Sequence, residues 1–404
     1  MTAAAVVTGI GVVAPNGLGA DDYWDATTRG RGGLRAITRF DASAYPIRVA
    51  GEIPGFAATE HLPSRLIPQT DRMTQLALVA AEQALADSGV DPAAQPEFAV
   101  GAVTASSSGG TEFGQNELTK LMVRGGNHVS AYHSFAWFYA ANTGQISIRH
   151  GLRGPSGVIV ADEAGGLDAL AQARRNIRRG GAVMVTGGVD ASVWPWGLVS
   201  QSAHGLTSGA DDVDRAYLPF DARAGGYVPG EGGALLVVEP ADAARARGAR
   251  VYGELAGYAA TFDPKPGTGR EPGLRRAIEL ALADAALTPG DVDVVFADAA
   301  ADLELDGREA AAINAVFGPR GVPVTAPKTM TGRLQCGAAP LDVAAALLAI
   351  RDGLIPPTTN VSPESRYELD LVVAQARPAR VGAALVLARG HRGFNSAMVV
   401  RAVA

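Results

Sequence analysis

One cysteine, six histidines, a glycine-spaced turn and a run of arginines are the residues whose chemistry stands out on a first reading. Cys336, in Arg333-Leu334-Gln335-Cys336-Gly337, is a nucleophile only if a base within hydrogen-bond reach makes its thiolate. No such base lies beside it in the sequence, and a lone cysteine of this kind reads as a small buried hydrophobe. His61, His128, His133, His150, His204 and His391 show no metal-ligand spacing and none sits in a segment that reads as catalytic, so no metal site is expected. Gly9-Ile10-Gly11-Val12-Val13-Ala14 follows an apolar run and fits the G-x-G-x-x-A form of a dinucleotide fingerprint. Pro15-Asn16-Gly17 then breaks the chain where a helix would have to aim its amino terminus at a pyrophosphate, so the segment reads as a strand and tight turn. Arg174, Arg175, Arg178 and Arg179 close a helical stretch, where cations suit the macrodipole and are solvated; the alternative is a docking patch for an acidic partner protein.

The chain that must position these residues has 404 of them, 47% hydrophobic and 19% charged. That composition buries a large core and excludes disorder. Lys plus Arg is 35 against 41 for Asp plus Glu, a net charge of −6, which argues against a nucleic-acid partner. A single cysteine excludes an internal disulfide, and MTAAAVVTGIG lacks the basic-then-apolar run of a secretory signal. No apolar stretch reaches the roughly 18 to 20 residues of a membrane helix. A cytoplasmic protein with no membrane contact is expected.

Apolar β-branched runs at Ala4 to Thr8, Phe98 to Thr104, Val183 to Thr186, Leu235 to Glu239 and Val292 to Ala297 alternate with helical stretches at Leu76 to Ser88, Leu167 to Arg179 and Leu274 to Ala285. The alternation predicts an α/β fold with buried strands. The helix end Leu85-Ala86-Asp87-Ser88-Gly89-Val90-Asp91-Pro92 recurs as Leu282-Ala283-Asp284-Ala285-Ala286-Leu287-Thr288-Pro289, each copy followed by an apolar strand. Gly166-Leu167-Asp168-Ala169 and Pro340-Leu341-Asp342-Val343 likewise open two Ala-rich helices that end in glycine. The chain therefore reads as two similar halves, 1–250 and 251–404. Pro219 to Gly233, dense in Gly and Pro, reads as a shaped loop whose backbone approaches something closely.

Three segments together resemble the β-ketoacyl synthases of the thiolase fold. They are Gly154-Pro155-Ser156 through Ala161-Asp162-Glu163-Ala164-Gly165-Gly166-Leu167-Asp168, Pro219-Phe220-Asp221 with Gly230-Glu231-Gly232, and Lys328-Thr329-Met330-Thr331-Gly332-Arg333. The resemblance implies duplicated halves, each with a mixed sheet, layered α-β-α-β-α. Active members of the family carry a nucleophilic Cys before Gly-Leu-Asp; here that position is Glu163. Of their two catalytic histidines, the first matches Asp298, counting back from Glu309, and the second matches Arg333. Condensation needs a thiolate to hold the acyl chain and two imidazoles to donate hydrogen bonds to an enolate, so this chain is expected not to condense alone. Glu163 and Arg333, with Lys328 near, are expected to form a buried ion pair.

Ser134-Phe135-Ala136-Trp137-Phe138-Tyr139-Ala140, Asn142-Thr143-Gly144-Gln145 and Thr329-Met330-Thr331-Gly332-Arg333 look like one branch, the KSβ or chain-length factor of type II polyketide synthases. The resemblance implies a heterodimer with a catalytic KSα, an acyl carrier protein whose phosphopantetheine arm enters that partner, and no cofactor in this chain. It places the chain-length gate on Thr111, Gly114 and Leu118, one face of a helix, with Trp196, and an interface at Phe135, Trp137, Phe138 and Tyr139. Small residues on the gate face are expected to leave space and to favour a longer product. Most relatives have Gln where Glu163 stands, and a carboxylate donates no hydrogen bond unless protonated. An autonomous acyltransferase or decarboxylase built on Glu163, and a purely structural pseudo-enzyme, stay open as alternatives.

Overall fold

The computed structural model describes residues 3–265 and 267–403; Met1, Thr2, Pro266 and Ala404, which fall within the sequence readings above, lie outside it. The first half supplies strands β1 (Ala5–Ala14), β2 (Val100–Ala105), β3 (Ser156–Ile159), β4 (Val183–Ala191) and β5 (Glu231–Pro240). Its principal helices are α1 (Arg72–Ser88), α2 (Thr111–Arg124), α3 (Ala141–His150), α4 (Gly165–Arg178) and α5 (Pro195–Ser202). The second half supplies β6 (Gly253–Phe262), β7 (Val294–Phe296), β8 (Pro323–Thr325), β9 (Asp370–Leu371), β10 (Ala383–Arg389) and β11 (Phe394–Arg401), with α6 (Leu274–Ala285), α7 (Leu303–Phe317) and α8 (Ala338–Asp352).

The topology repeats. The order is β3-β2-β4-β5-β1 in one half and β8-β7-β10-β11-β6 in the other, with β9 added beyond β8. In each half the first strand runs antiparallel to the last, the last antiparallel to the one before it, and that one parallel to the second. The two mixed sheets meet where Val6 pairs with Glu254 and Val7 with Gly253, so hydrogen bonding runs on as one sheet. Helices α1 and α3 cover one outer face, α6 and α7 the other, and α4 packs on α8 between the sheets.

Local chemistry explains this layering. Met73, Leu76, Ala77, Ala80, Ala84 and Leu85 put one apolar face of α1 on β1 and β5. The fit is close: a Cβ on Gly9 or Gly11 would stand 2.1 Å from the Ala84 carbonyl oxygen or 1.9 Å from that of Ala80. The glycine-spaced turn therefore serves helix-on-strand packing, and Gly257 does the same in the second half, 2.1 Å from the Ala281 oxygen. Helix α8 is buried all round from Ala338 to Ala349, as a helix between two sheets must be.

Two expectations need correction. Arg174 is not solvated: it is buried, pairs with Asp284 and donates to the Ala256 carbonyl, so it ties α4 to the second half. The Gly/Pro-rich segment is a loop only to Gly230, because Glu231, Gly232 and Gly233 already belong to β5. No helix among the described residues is long and apolar enough to cross a membrane.

Candidate functional site

Glu163 stands at a strand-to-helix turn, where β3 has ended, Asp162 adopts φ 54° and α4 begins two residues later. Asp298 follows β7. Its N–H donates to Glu309 Oε1 at 2.7 Å, and the next N–H, that of Ala299, to Oε2 at 2.9 Å, so Glu309 on α7 anchors this turn. Arg333 is held by its backbone, donating to the Val228 oxygen at 2.8 Å and accepting from Gly230 at 3.1 Å. That is the close approach expected of the Gly/Pro-rich loop.

From these three elements the side chains converge in a buried cluster. Arg333 Nε donates to Glu163 Oε1 at 3.0 Å. Its Nη2 lies 3.0 and 3.1 Å from the two Asp298 oxygens and 2.6 Å from the Arg389 carbonyl oxygen. Asp298 Oδ1 also accepts the Arg389 N–H at 2.9 Å, and Tyr227 lies under the Arg333 guanidinium. Lys328 turns elsewhere, its Nζ 2.6 Å from Asp342 Oδ2 on α8.

Burial pushes the Glu163 carboxyl up to about 8, against the pull of Arg333 and with the help of Asp162 and Asp298. At neutral pH it holds its proton more often than not. The expected pairing of Arg333 with Glu163 is present at 3.0 Å, and Asp298 is a second carboxyl partner at the same distance. Although burial opposes the charge, Asp298 and then Glu163 hold the guanidinium pKa well above its ordinary value. A protonated Glu163 offers one acceptor and one donor, the hydrogen-bonding pattern of a glutamine amide.

A cavity of about 1700 Å³ runs from this cluster to the wall formed by α2 and α5. Thr111, Gly114, Leu118 and Trp196 all line it. The room expected over Gly114 is not open: a Cβ there would sit 3.4 Å from Trp196 Cζ3 and 3.5 Å from Trp137 Cβ. Two indole side chains occupy the space that the glycine leaves. Trp137, expected only at an interface, is therefore also a cavity residue. His133, His204 and His391 line the same cavity, the last two with ring centroids 4.2 Å apart, although none sits in a segment that reads as catalytic. No local pattern could reveal them, because the fold alone joins His204 to His391. Among the described residues no three His, Cys, Asp or Glu side chains are grouped to hold a metal ion.

Trp137, Phe138 and Tyr139 are exposed, while Phe135 is partly covered. Cys336 is fully buried, and burial followed by the charge of Asp190 raises its thiol pKa well above the ordinary value.

The family model of the β-ketoacyl synthase N-terminal domain matches residues 3–244, and that of the C-terminal domain residues 252–362. The chain belongs to the β-ketoacyl synthase family, in its KSβ branch. It is 60% identical over 402 residues to the tetracenomycin polyketide synthase ketoacyl synthase beta subunit of Streptomyces glaucescens, covering 99% of this chain and 98% of that one. It is 58% identical over 398 residues to the actinorhodin polyketide putative beta-ketoacyl synthase 2 of Streptomyces coelicolor, covering 98% of each. The solved ishigamide ketosynthase/chain length factor superposes with a TM-score of 0.90 at 27% identity, over 100% of both chains. In this KSβ chain Arg333 bonds both Glu163 and Asp298, the residues that the sequence resemblance set against the family's catalytic positions.

Proposed function

We propose that this chain is the non-condensing subunit of a type II polyketide synthase, pairing with a catalytic KSα and limiting the length of the chain that the pair makes. The observation that carries this reading is the bonded cluster of Glu163, Arg333 and Asp298. Asp298 already accepts from Arg333 and Arg389, so both its oxygens are engaged where an enolate would need a donor. Arg333 has its Nε and Nη2 engaged by Glu163, Asp298 and the Arg389 carbonyl. A thioester-forming group is absent, since a glutamyl anhydride would hydrolyse.

The exposed rings of Trp137, Phe138 and Tyr139 are apolar surface suited to a stable partner. In this reading the phosphopantetheine arm of the acyl carrier protein enters KSα, this chain needs no cofactor of its own, and the pair works in the cytoplasm. Thr111, Leu118, Trp196 and Trp137 bound the growing chain, and Gly114 seats the two tryptophans. The solved neighbour described as an acyl carrier protein in complex with its ketosynthase bound to a hexaketide, at TM-score 0.88 and 26% identity, supports it.

The test is co-expression with the catalytic partner. A one-to-one complex that condenses malonyl groups, with neither subunit doing so alone, is the expected result. Turnover of malonyl carrier protein by this chain alone, lost on Glu163→Ala, would replace the proposal with an autonomous decarboxylase.

A further inference from the structure

We propose that Asp71 and Gln115, neither of which lines the cavity, are positioning residues for chain length because they set where helix α2 stands. The inference rests on the reading of α2 as the chain-length wall. Asp71 is the N-cap of α1, where its Oδ1 accepts from the Met73 N–H at 2.7 Å. Its other oxygen, Oδ2, accepts from the Phe113 N–H at 2.8 Å. Phe113 is the third residue of α2, and the N-cap of that helix, Gly110, has no side chain to offer. One buried carboxylate therefore serves the free N–H groups of two helix starts, each the positive end of a helix dipole.

The two helices differ in how else they are held. Most of α1 is buried in the outer layer, whereas every α2 side chain from Leu118 to Arg124 is exposed. The Asp71 bond thus fastens a lightly packed helix to a firmly packed one. Gln115 adds a second fastening from α2 itself, its Oε1 accepting from the Trp196 N–H at 2.8 Å. This bond spans the two walls that approach at Gly114 and Trp196. Since a Cβ at Gly114 would already touch the Trp196 ring, a small shift of α2 changes the gap that a chain must pass.

Asp71→Ser separates the two roles of the carboxylate. Serine is about as good an N-cap for α1, but its one short oxygen cannot also reach Phe113. In the assembled complex with the catalytic partner and carrier protein, given malonyl groups, we expect D71S to lower the ratio of main to off-length product by up to about 10-fold, the scale of one buried hydrogen bond. Malonyl consumption should persist, and the Phe113 amide should lose protection from hydrogen exchange. A Phe113 amide that stays protected overturns the proposal, and so does an unchanged product ratio once that protection is lost. Gln115→Ala, at a partly exposed position that tolerates change, is expected to lower the same ratio, and an unchanged ratio there also counts against the proposal. If the wall reading itself is at fault, Gly114→Phe will leave product length unaltered as well.

Discussion

Arg333 and Asp298 meet with one guanidinium nitrogen against both carboxylate oxygens, at 3.0 and 3.1 Å, and both residues are buried. Removing one member of such a pair leaves the other as an uncompensated buried charge, a cost of about 3–5 kcal/mol. Arg333→Met should destabilise the chain by that amount in chemical denaturation. Adding Asp298→Asn should return part of the loss, and simple additivity of the two changes would contradict the coupling.

Stability should depend on pH through Glu163. Its native carboxyl titrates at about 8, against an ordinary value of 4.5. Between those values the native state keeps a proton that the unfolded chain has released, so stability falls as pH rises through the window, by at most about 1.4 kcal/mol per pH unit. Glu163→Gln should flatten that decline when unfolding is followed from about pH 5 to 8, and a slope equal to that of the parent chain would refute the assignment.

Restoring the nucleophile alone should not restore condensation. In Glu163→Cys the Arg333 guanidinium would favour a thiolate against Asp162 and Asp298, but the two positions matched to histidines would still carry Asp298 and Arg333 rather than imidazoles. The expected result by mass spectrometry is no elongated product, whether or not an acyl adduct forms.

The wall at Gly114 has a direction that can be read from products. Gly114→Phe must displace Trp196 or Trp137 into the cavity and should shorten the main product, while Trp196→Ala should lengthen it. Product masses from the assembled complex decide this, with complex yield as the control for folding.

Cys336 should resist alkylation until the chain unfolds. Its thiol is fully buried with its pKa raised, so native modification by iodoacetamide at about pH 8 should be slower than in denaturant by at least ~100-fold. Equal rates would place the thiol at the surface.

Much of this protein was legible in the sequence because the signals are local. Hydrophobic period and turn chemistry marked the strands and helices, and the repeated helix end at Leu85 and Leu282 marked two alike halves. Glu163, Asp298 and Arg333 lay in short segments that resemble the family, so the expectation that the chain does not condense alone could be argued residue by residue. The local pattern fell short where a contact comes from another element. Gly9 and Gly11 imitate a nucleotide fingerprint, and the strand-and-turn reading holds; what the sequence did not show is that α1 lies against them. Arg174 ends a helix as a solvated cation would, yet Asp284 from the other half takes it inside. Only the tertiary structure brought Asp298 to Arg333 beside Glu163, because the three residues come from separate elements. Only the tertiary structure filled the space over Gly114 with Trp137 and Trp196, since a residue's size says nothing of which neighbours stand opposite it. Sequence determined which residues are present and which elements they form; distances between elements, and the charges that burial permits, belong to the fold.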